Sequence, residues 1–332
     1  MKALVYTGPH ALEFRDADEP TPGPGEALIR VEAVGICGSD MHAYHGHDSR
    51  RPAPLILGHE AAGRIVGGER DGERVTVNPL VTCGACAACE RGASHLCPSR
   101  QILSMPPRPG AFAQFVCAPY RNLVTIADDF PVEHAALAEP VAVSYHAVNQ
   151  GARLLGRPLA GARTAVLGGG AIGLAAALVL AMQGAAEVLL GEPNAERRKT
   201  AERSGPIRTY DPAGGHAPEA NSVDLVIDAV GARATRIDAS RIVRPGGVIV
   251  HVGLLPGEEG FDVRKITLQE VVVSGSYCYT MQDFRDAVGA LASGRLGDLG
   301  WTETRPLADG ARAFHDIDAS AVAAAKLVLI PG

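Results

Sequence analysis

A glycine-rich turn at residues 168–173 constrains the fold of this chain more than any other feature of the sequence. The turn reads GGGAIG, follows the apolar run RTAVL and opens a helical segment. Strand, glycine turn and helix in this order are typical of a βαβ unit in which the backbone approaches the pyrophosphate of a dinucleotide at the helix N-terminus. We therefore predict cofactor contacts at Gly168, Gly170, Ile172 and Gly173.

The segments on either side of residue 145 have different patterns. Before it, short β-type runs such as Ala3–Tyr6, Ala27–Val34 and Phe112–Val116 are separated by Gly and Pro, which favours a partly open barrel. After it, apolar strands alternate with helices, which predicts a parallel sheet. From residue 295 the chain returns to short pieces, with an Ala-rich helix near Ala321–Ala325 and a terminal strand. We predict a first domain of residues 1–145 completed by 295–332, and a second domain of residues 146–294.

Composition and charge limit the kinds of partner that the protein is expected to bind. The 332 residues carry a formal net charge of -6 and a pI near 6.0, which argues against the basic surface of a nucleic-acid binder. The longest apolar run, Ala171–Met182, is shorter than the roughly 20 residues that span a membrane. Seven cysteines, an odd number with four clustered, indicate metal binding in a reducing compartment. We predict a cytoplasmic protein with neither a nucleic-acid nor a membrane partner.

An acidic residue in the second βαβ unit bears on the choice of cofactor. Glu192 lies 19 residues beyond Gly173, after the strand EVLLG, where its carboxylate can bind both ribose hydroxyls. The same charge repels a 2′-phosphate, so we predict NAD. The basic pair Arg197-Arg198 keeps NADP as the less favoured alternative, and we include Arg197 among the cofactor contacts.

Four cysteines lie close together in the sequence. Cys83, Cys86, Cys89 and Cys97 have the spacing C-x2-C-x2-C-x7-C, which closes a tetrahedral thiolate site with no open position. A nucleic-acid-binding ribbon can carry such a site, but its basic flanks are absent here. We predict a structural zinc.

A second set of metal-ligand residues lies between residues 35 and 60. Cys37, His59 and Glu60 supply a thiolate, an imidazole and a carboxylate, the ligand types of a catalytic zinc that keeps one position open. The separation of Cys37 from His59 is not diagnostic alone. A further carboxylate, Glu139 in Ala-Glu-Pro-Val, is an alternative third ligand, or else an acid at a helix start.

Taken together, these motifs resemble those of the zinc-dependent medium-chain alcohol and polyol dehydrogenases, near the sorbitol dehydrogenase branch. The resemblance is carried across nearly the whole chain by GICGSD at 35–40, GHE at 58–60, the four cysteines, Glu139-Pro140 and the glycine turn. It implies an α/β protein with a chaperonin-10-like (GroES-like) β-barrel catalytic domain, a Rossmann domain with a doubly wound parallel sheet, and a catalytic zinc in the cleft between them. It also implies a homodimer or homotetramer.

The resemblance assigns roles to individual residues. Cys37 and His59 are zinc ligands, with Glu60 or Glu139 as the third, and Asp40 orients the ligand histidine. Ser39 stands at the family's hydroxyl position next to the reacting oxygen, and His42 at a proton relay, although His45 and His47 offer similar chemistry in the same loop. Further cofactor contacts are implied at Val230, Val252, Gly253, Leu254 and Tyr277.

These observations predict an oxidoreductase that transfers a hydride between an alcohol or polyol and NAD(H). Zinc accounts for the chemistry because it can lower the pKa of a bound hydroxyl from about 16 to about 7. Tyr44 is a candidate for lining the substrate pocket. Polyol dehydrogenases near the sorbitol enzyme carry an Arg-Tyr pair where this chain has Cys278-Tyr279, which puts sorbitol itself in doubt. The alternatives are a dehydrogenase of L-threonine or of an alditol phosphate, and a non-enzymatic nucleotide sensor on the same scaffold.

Overall fold

The computed structural model describes every residue except Gly215 and divides into two compact units. The first unit contains Met1–Pro140, Thr280–Ser293 and Thr302–Gly332, and the second contains Val141–Tyr279 and Gly294–Trp301. The predicted boundaries differ from this division at residues 141–145 and 295–301, which belong to the second unit, and at residues 280–293, which belong to the first. Residues 281–292, which the sequence pattern places in the second domain, form a helix that packs in the first unit against the helix at Val132–Ala135.

The first unit is mainly β-structure. Its strands are β1 (Lys2–Gly8), β2 (Ala11–Asp16), β3 (Glu26–Gly35), β4 (Leu55–Ile56), β5 (Glu60–Val66), β6 (Arg74–Val77), β7 (Leu80–Val81), β8 (Gln101–Ile102), β9 (Phe115–Pro119), β10 (Leu123–Thr125), β17 (Thr302–Pro306) and β18 (Lys326–Ile330). Its helices are α1 (Gly38–Tyr44), α2 (Ala87–Glu90), α3 (Val132–Ala135), α9 (Met281–Ala292) and α10 (Gly310–Asp318).

Strand β3 is the centre of the largest sheet in this unit. The sheet runs in the order β10-β6-β5-β3-β18-β17, and β9 also pairs with β3. Alternate residues Ala27, Ile29 and Val31 of β3 point into the hydrophobic core, and burial of a side chain such as Ile29 is worth about 1.5–3 kcal/mol. Because β18 pairs with β3, the C-terminal strand belongs to the same sheet as the N-terminal half of the chain.

The second unit contains a six-stranded parallel sheet in the order β13-β12-β11-β14-β15-β16. Its strands are β11 (Arg163–Leu167), β12 (Glu187–Gly191), β13 (Arg208–Tyr210), β14 (Val223–Asp228), β15 (Val243–His251) and β16 (Val272–Gly275). Its helices are α5 (Ala171–Met182), α6 (Ala195–Ser204), α7 (Arg233–Ile242) and α8 (Val263–Leu268), and α4 (Ala138–Leu155) enters it from the first unit. The carboxyl ends of β11, β12, β14 and β15 therefore meet along one edge, where ligands bind in open parallel sheets.

Two predicted elements differ from the structure. The strand predicted at Phe112–Val116 begins later in the structure, as β9 at Phe115–Pro119. The backbone of Phe112 does not pair with β3 because its N–H donates to the Leu57 carbonyl and its carbonyl accepts the N–H of Leu4. The Ala-rich helix predicted near Ala321–Ala325 is absent, since α10 ends at Asp318. Ser320 follows with a φ of 55°, and the N–H groups of Ser320 and Ala321 bond back to the last turn in a Schellman motif.

Among the helices formed by residues 1–214 and 216–332, none is long and apolar enough to cross a membrane.

Candidate active site

The residues predicted to form the catalytic site in the first unit lie at the ends of β3, β5 and α1. Cys37 is the N-cap of α1, its Sγ accepts the N–H of Ser39 at 3.5 Å, and the Asp40 carboxylate accepts the N–H of Cys37 at 3.0 Å. This capping box fixes Cys37 at the positive end of a helix, which favours negative charge on the sulfur. Glu60 is the first residue of β5 and pairs with Gly35 of β3. A Cβ added to Gly35 would lie 2.0 Å from Glu60 Oε2, so only glycine fits at position 35 beside this carboxylate.

The structure brings together Cys37, His59 and Glu60. One ligand atom from each lies within 4.8 Å of the others, and His59 and Glu60 are buried. Thiolate, imidazole and carboxylate at this separation fit the ligand set of a zinc ion with an open fourth position. Glu139 lies outside this group, in the first turn of α4 and buried.

The electrostatics of the site also suit a cation. Burial alone would lower the pKa of His59, but the charges of Asp40 and Cys37 raise this pKa well above its ordinary value. Burial tends to raise the pKa of Asp40, yet His59 and Arg51 hold it below the usual range. The site therefore has a negative potential that favours a positive group between its anions, which is the condition for a divalent metal ion.

Asp40, for which the resemblance implies an orienting role, contacts the imidazole of His59. Its fully buried carboxylate lies 3.5 Å from His59 Nδ1 and accepts the N–H of Gly58 at 3.4 Å. Ser104 Oγ is 3.3 Å from the same His59 nitrogen. Both contacts involve Nδ1, so they leave Nε2 as the ring nitrogen that could bind a metal ion.

Lys326, a functional residue that the sequence did not suggest, lies behind the site. Its Nζ donates to both carboxylate oxygens of Glu60 at 2.6 and 2.7 Å and to the carbonyl of Ile36 at 2.9 Å. Burial would lower the pKa of Lys326, but the negative charges of Glu60, Cys37 and Glu139 raise it. In the sequence, Lys326 is one of four lysines and stands at the start of the apolar segment KLVLI. A lysine at the end of a strand is ordinarily exposed to solvent, so this position gave no sign of a buried charge.

Arg51 is a second residue that sequence reasoning missed. Its side chain is buried and its guanidinium donates to Ser39 Oγ at 3.3 Å, to the Ser39 carbonyl at 3.2 Å and to Asp48 at 2.7 Å. The guanidinium therefore anchors the predicted proton-relay hydroxyl. His42, on the same helix as Ser39, is partly buried, and burial lowers its pKa against the opposing charge of Asp48.

Tyr44 does not have the exposed position expected of a substrate-lining residue. Its side chain is buried in the hydrophobic core, and its ring contacts the rings of His10 and Phe314 at centroid distances of 4.9 and 5.4 Å. The tyrosine packs α1 against α10 instead.

The four clustered cysteines converge as their spacing predicts. Sγ separations are 3.5 Å for Cys97 to Cys83, 3.6 Å for Cys86 to Cys89 and 3.9 Å for Cys83 to Cys89. A tetrahedral zinc with Zn–S bonds of about 2.3 Å requires S···S edges of about 3.8 Å, so the sulfurs fit the ion. The backbone N–H of Ala85 is the largest influence that lowers the pKa of Cys83 to about 6, whereas burial raises the pKa of its neighbour Cys89 to about 11. Without a metal ion the negative charge is therefore concentrated on Cys83.

The glycine turn of the second unit follows β11 as predicted. Gly168 has a φ of 100°, a left-handed conformation, and a Cβ on Gly173 would lie 1.8 Å from the Gly168 carbonyl oxygen. At Gly170, the N-cap of α5, an added Cβ would meet nothing within 4 Å. The backbone is thus open at the helix N-terminus, where a pyrophosphate binds. Ile172 lies in the first turn of α5.

Glu192 lies beside this turn. Its buried carboxylate accepts the N–H groups of Gly169 and Asn194, each at 2.8 Å. Arg198 donates to the backbone carbonyl of Glu192 at 2.7 Å, whereas the buried Nε of Arg197 has no hydrogen-bond partner within the described part of the chain. The acid predicted to bind the ribose is therefore fixed at the carboxyl end of β12.

The remaining predicted cofactor residues follow β14, β15 and β16. Asp228 accepts the N–H groups of Val230 and Gly231 at 3.1 and 2.9 Å, and this turn packs directly on Gly253, where no side chain would fit. Val252 donates its N–H to the Asp228 carbonyl at 2.9 Å, and Leu254 is 72% exposed. Tyr277 follows β16. The loops after β11, β12, β14 and β15 thus line the sheet edge expected for a dinucleotide.

Comparison with known proteins agrees with both units. Residues 23–128 match the model of the alcohol dehydrogenase GroES-like domain, and residues 171–293 match that of the zinc-binding dehydrogenase. L-galactonate-5-dehydrogenase from Escherichia coli (strain K12) is 32% identical over 329 residues, which is 95% of this chain and 94% of that protein. The chain belongs to the zinc-dependent medium-chain alcohol and polyol dehydrogenase family.

Other members of this dehydrogenase family show the same breadth of similarity. L-threonine 3-dehydrogenase from Pyrococcus furiosus is 31% identical over 285 residues, covering 81% of this chain and 80% of that one. A zinc-binding dehydrogenase from Sinorhizobium meliloti 1021, solved with NADP bound, has a TM-score of 0.90 at 30% identity and covers 99% of both chains. The predicted family, the α/β fold class and the zinc-dependent oxidoreductase activity with a nicotinamide cofactor are confirmed.

Proposed function

We propose that this dehydrogenase transfers a hydride between a secondary alcohol carbon of a polyol or related sugar derivative and NAD(H). In the oxidative direction the alcohol becomes a ketone, the hydride reduces the nicotinamide and the hydroxyl proton leaves to solvent. The juxtaposition of Cys37, His59 and Glu60 carries this proposal, because it provides the ligand set that such chemistry needs. The relationship to L-galactonate-5-dehydrogenase supports a polyhydroxylated substrate.

Cys37, His59 and Glu60 would hold the catalytic zinc, and Glu139 is the carboxylate available for exchange. Zinc bound there lowers the pKa of an alcohol and polarises the corresponding carbonyl. The two anionic ligands are offset by Lys326, which keeps the Glu60 carboxylate in one orientation through two hydrogen bonds. Asp40 holds the His59 ring through Nδ1.

Ser39 and His42 are the proposed route for the hydroxyl proton. Ser39 Oγ accepts a hydrogen bond from Arg51, so its own proton remains available for donation. The lowered pKa of His42 keeps its imidazole neutral at neutral pH, which lets it accept a proton from the serine side and release it to solvent.

A second zinc is proposed at the four cysteines, giving two ions per chain. This site has four thiolates and no open position, so its role is to order the loop between β7 and β8. Because the thiols must stay reduced to bind zinc, the proposal places the protein in the cytoplasm.

NAD is proposed as the cofactor in preference to NADP. The carboxylate of Glu192 lies at the carboxyl end of β12, beside the glycine turn, and would repel a 2′-phosphate. Arg197, whose Nε has no hydrogen-bond partner within the described residues, supports the NADP alternative, as does the Sinorhizobium relative solved with NADP.

A homodimer or homotetramer is also proposed. Strand β16 ends the parallel sheet, and its Val272 and Val273 side chains are each 38% exposed. An apolar strand at a sheet edge is a template for pairing with another copy of the chain.

The decisive experiment combines metal analysis with a substrate panel. Purified protein should contain about two zinc ions per chain and reduce NAD with one or more polyols or sugar acids. Cys37→Ser should abolish turnover and remove about one zinc ion, while Cys117→Ser, a cysteine on β9 outside both clusters, should change neither. Retained turnover in Cys37→Ser would refute the proposed site.

The panel also separates the alternatives. L-Threonine is the second candidate because of the Pyrococcus relative, and alditol phosphates are a third. If L-threonine alone is oxidised, the threonine alternative replaces the polyol assignment. Failure of every alcohol tested, with NAD and NADP bound tightly, would favour the nucleotide sensor.

A further inference from the structure

A third group of metal-ligand side chains lies outside the two predicted zinc sites. His10, His45 and Asp318 each place one ligand atom within 4.8 Å of the other two. They come from distant parts of the first unit: the β1–β2 turn, the end of α1 and the end of α10. We propose that these residues form a third divalent-metal site, suited to Zn²⁺ or another ion that prefers imidazole, such as Co²⁺ or Ni²⁺.

In this structure the three side chains are linked by one hydrogen bond and one longer approach, both to the carboxylate of Asp318. His45 Nε2 is 2.6 Å from Asp318 Oδ1, and His10 Nδ1 is 4.0 Å from Asp318 Oδ2. Zinc bonds of about 2.0–2.1 Å to nitrogen and oxygen give tetrahedral ligand edges of about 3.4 Å. The shorter separation is a hydrogen bond and the longer one involves the other oxygen of the carboxylate. Side-chain rotations would let one ion replace the hydrogen bond and take a ligand atom from each residue.

The backbone around the site is firmly held. His10 has a φ of 58° in the tight turn after β1, and its N–H donates to the Tyr44 carbonyl at 2.7 Å. The Tyr44 ring, buried in the core, contacts the rings of His10 and Phe314 and so joins the turn, α1 and α10. A metal ion would therefore find its ligands on a framework that packing has already assembled, which reduces the cost of ordering them.

Two features distinguish this group from an ordinary surface cluster. Two of its three ligands are imidazoles, which magnesium and calcium avoid and zinc prefers. A further imidazole, that of His47, has its ring centroid 5.7 Å from that of His45 and could take a fourth position or leave it to water.

The site would act on α1 from the end opposite the catalytic cysteine. His45 is the C-cap of this helix and Cys37 is its N-cap. An ion at His45 would connect the C-terminal end of α1 to the β1–β2 turn and to α10. We therefore expect binding to raise thermal stability without adding a group to the reaction.

Equilibrium dialysis of the holoenzyme tests the proposal. Protein already holding its cysteine-site metals is dialysed against Zn²⁺ or Co²⁺, and bound metal is counted by mass spectrometry. Wild type should take up about one ion more per chain than His10→Asn or Asp318→Asn. Asn is chosen at position 10 because it tolerates a positive φ. His216→Asn, which changes an exposed histidine in the second unit, should bind as much metal as wild type.

The cobalt spectrum gives a second readout. Cobalt at His10, His45 and Asp318 should add d–d absorption without thiolate-to-metal charge transfer, since no cysteine is in the cluster. Both cluster variants should keep wild-type turnover, which shows that they fold. Equal metal uptake by wild type, His10→Asn and Asp318→Asn would overturn the proposal, as would thiolate charge transfer from the additional ion. The test compares variants, so it is independent of the count at the two cysteine-containing sites.

Discussion

Removing the charge of Lys326 is the most stringent test of how the first unit supports its anionic site. The side chains of Lys326 and Glu60 are 3% and 0% exposed, and the ammonium lies 2.6 Å from the nearer carboxylate oxygen. Lys326→Met keeps the length of the side chain and removes its charge. Glu60 is then left as a buried anion near Cys37 with its partner missing.

The magnitude follows from the distance and the burial. At an effective dielectric constant of about 20, two unit charges at this separation attract by about 6 kcal/mol. Part of that attraction is already offset by the cost of burying the ammonium, and breaking one side of a buried pair typically costs about 3–5 kcal/mol. We expect Lys326→Met to lower the free energy of unfolding by that amount.

Denaturant unfolding of protein from which the zinc at Cys37, His59 and Glu60 has been removed, followed by circular dichroism, measures the loss, because a bound zinc ion would itself balance the charge of Glu60. Lys199→Met is the matched control, because Lys199 pairs with Glu196 at 2.8 Å on the exposed face of α6 and solvent screens that pair. The control should unfold like wild type. Adding Glu60→Gln to Lys326→Met should recover much of the lost stability, since the unpaired charge is gone. If Lys326→Met unfolds like Lys199→Met, the buried pair does not have the role given to it here.

Three further changes test the other parts of the two units. Asp40→Asn removes the anion beside His59 and should weaken zinc retention or turnover by about 10- to 100-fold. Chelator competition measures the retention and a steady-state assay the turnover; if both are unchanged, Asp40 does not orient His59. Cys97→Ser opens the four-thiolate site and should lose about one zinc ion per chain by mass spectrometry, whereas an unaltered count would exclude that site. Gly173→Val adds a Cβ that would lie 1.8 Å from the Gly168 carbonyl oxygen. It should raise the KM for NAD more than tenfold, about 1.4 kcal/mol of binding free energy; an unchanged KM would show that the turn does not bind the cofactor.

The parallel sheet could be predicted because its signals are local. The run RTAVL, the glycine turn and the following apolar helix are contiguous in the chain, and the structure forms β11, the turn and α5 there. The four cysteines are equally local. Spacing alone therefore predicted sulfurs that lie 3.5–3.9 Å apart.

Irregular segments were harder to predict, because their backbone partners are distant in sequence. Phe112 has the composition of a strand residue, but its N–H and C=O bond to Leu57 and Leu4, which no local pattern reveals. Four of the five residues 321–325 are alanine, which has high helix propensity, yet the Schellman motif at Ser320 ends α10 before them. In both cases tertiary or capping contacts outweighed propensity.

The sequence suggested the metal-ligand residues of the candidate site but not the buried cations beside them. Cys37, His59 and Glu60 could be proposed from their chemistry and from the family resemblance. Lys326 is 266 residues from Glu60, and Arg51 is 12 residues from Ser39 in a loop without periodicity. Because lysine and arginine are ordinarily exposed, the sequence gives no indication that the side chains of Lys326 and Arg51 are buried.

Helix α1 links the candidate metal site to the hydrophobic core of the first unit. It has only seven residues, and an isolated helix of that length is unstable in water. Its position therefore rests on the capping box that Asp40 makes with Cys37 and on the packing of Tyr44 in the core. Because the cap residue is also the proposed metal ligand, any change that loosens α1 moves the sulfur as well. This explains why the carboxylate of Asp40 is fully buried, since it contacts both the start of the helix and the His59 ring.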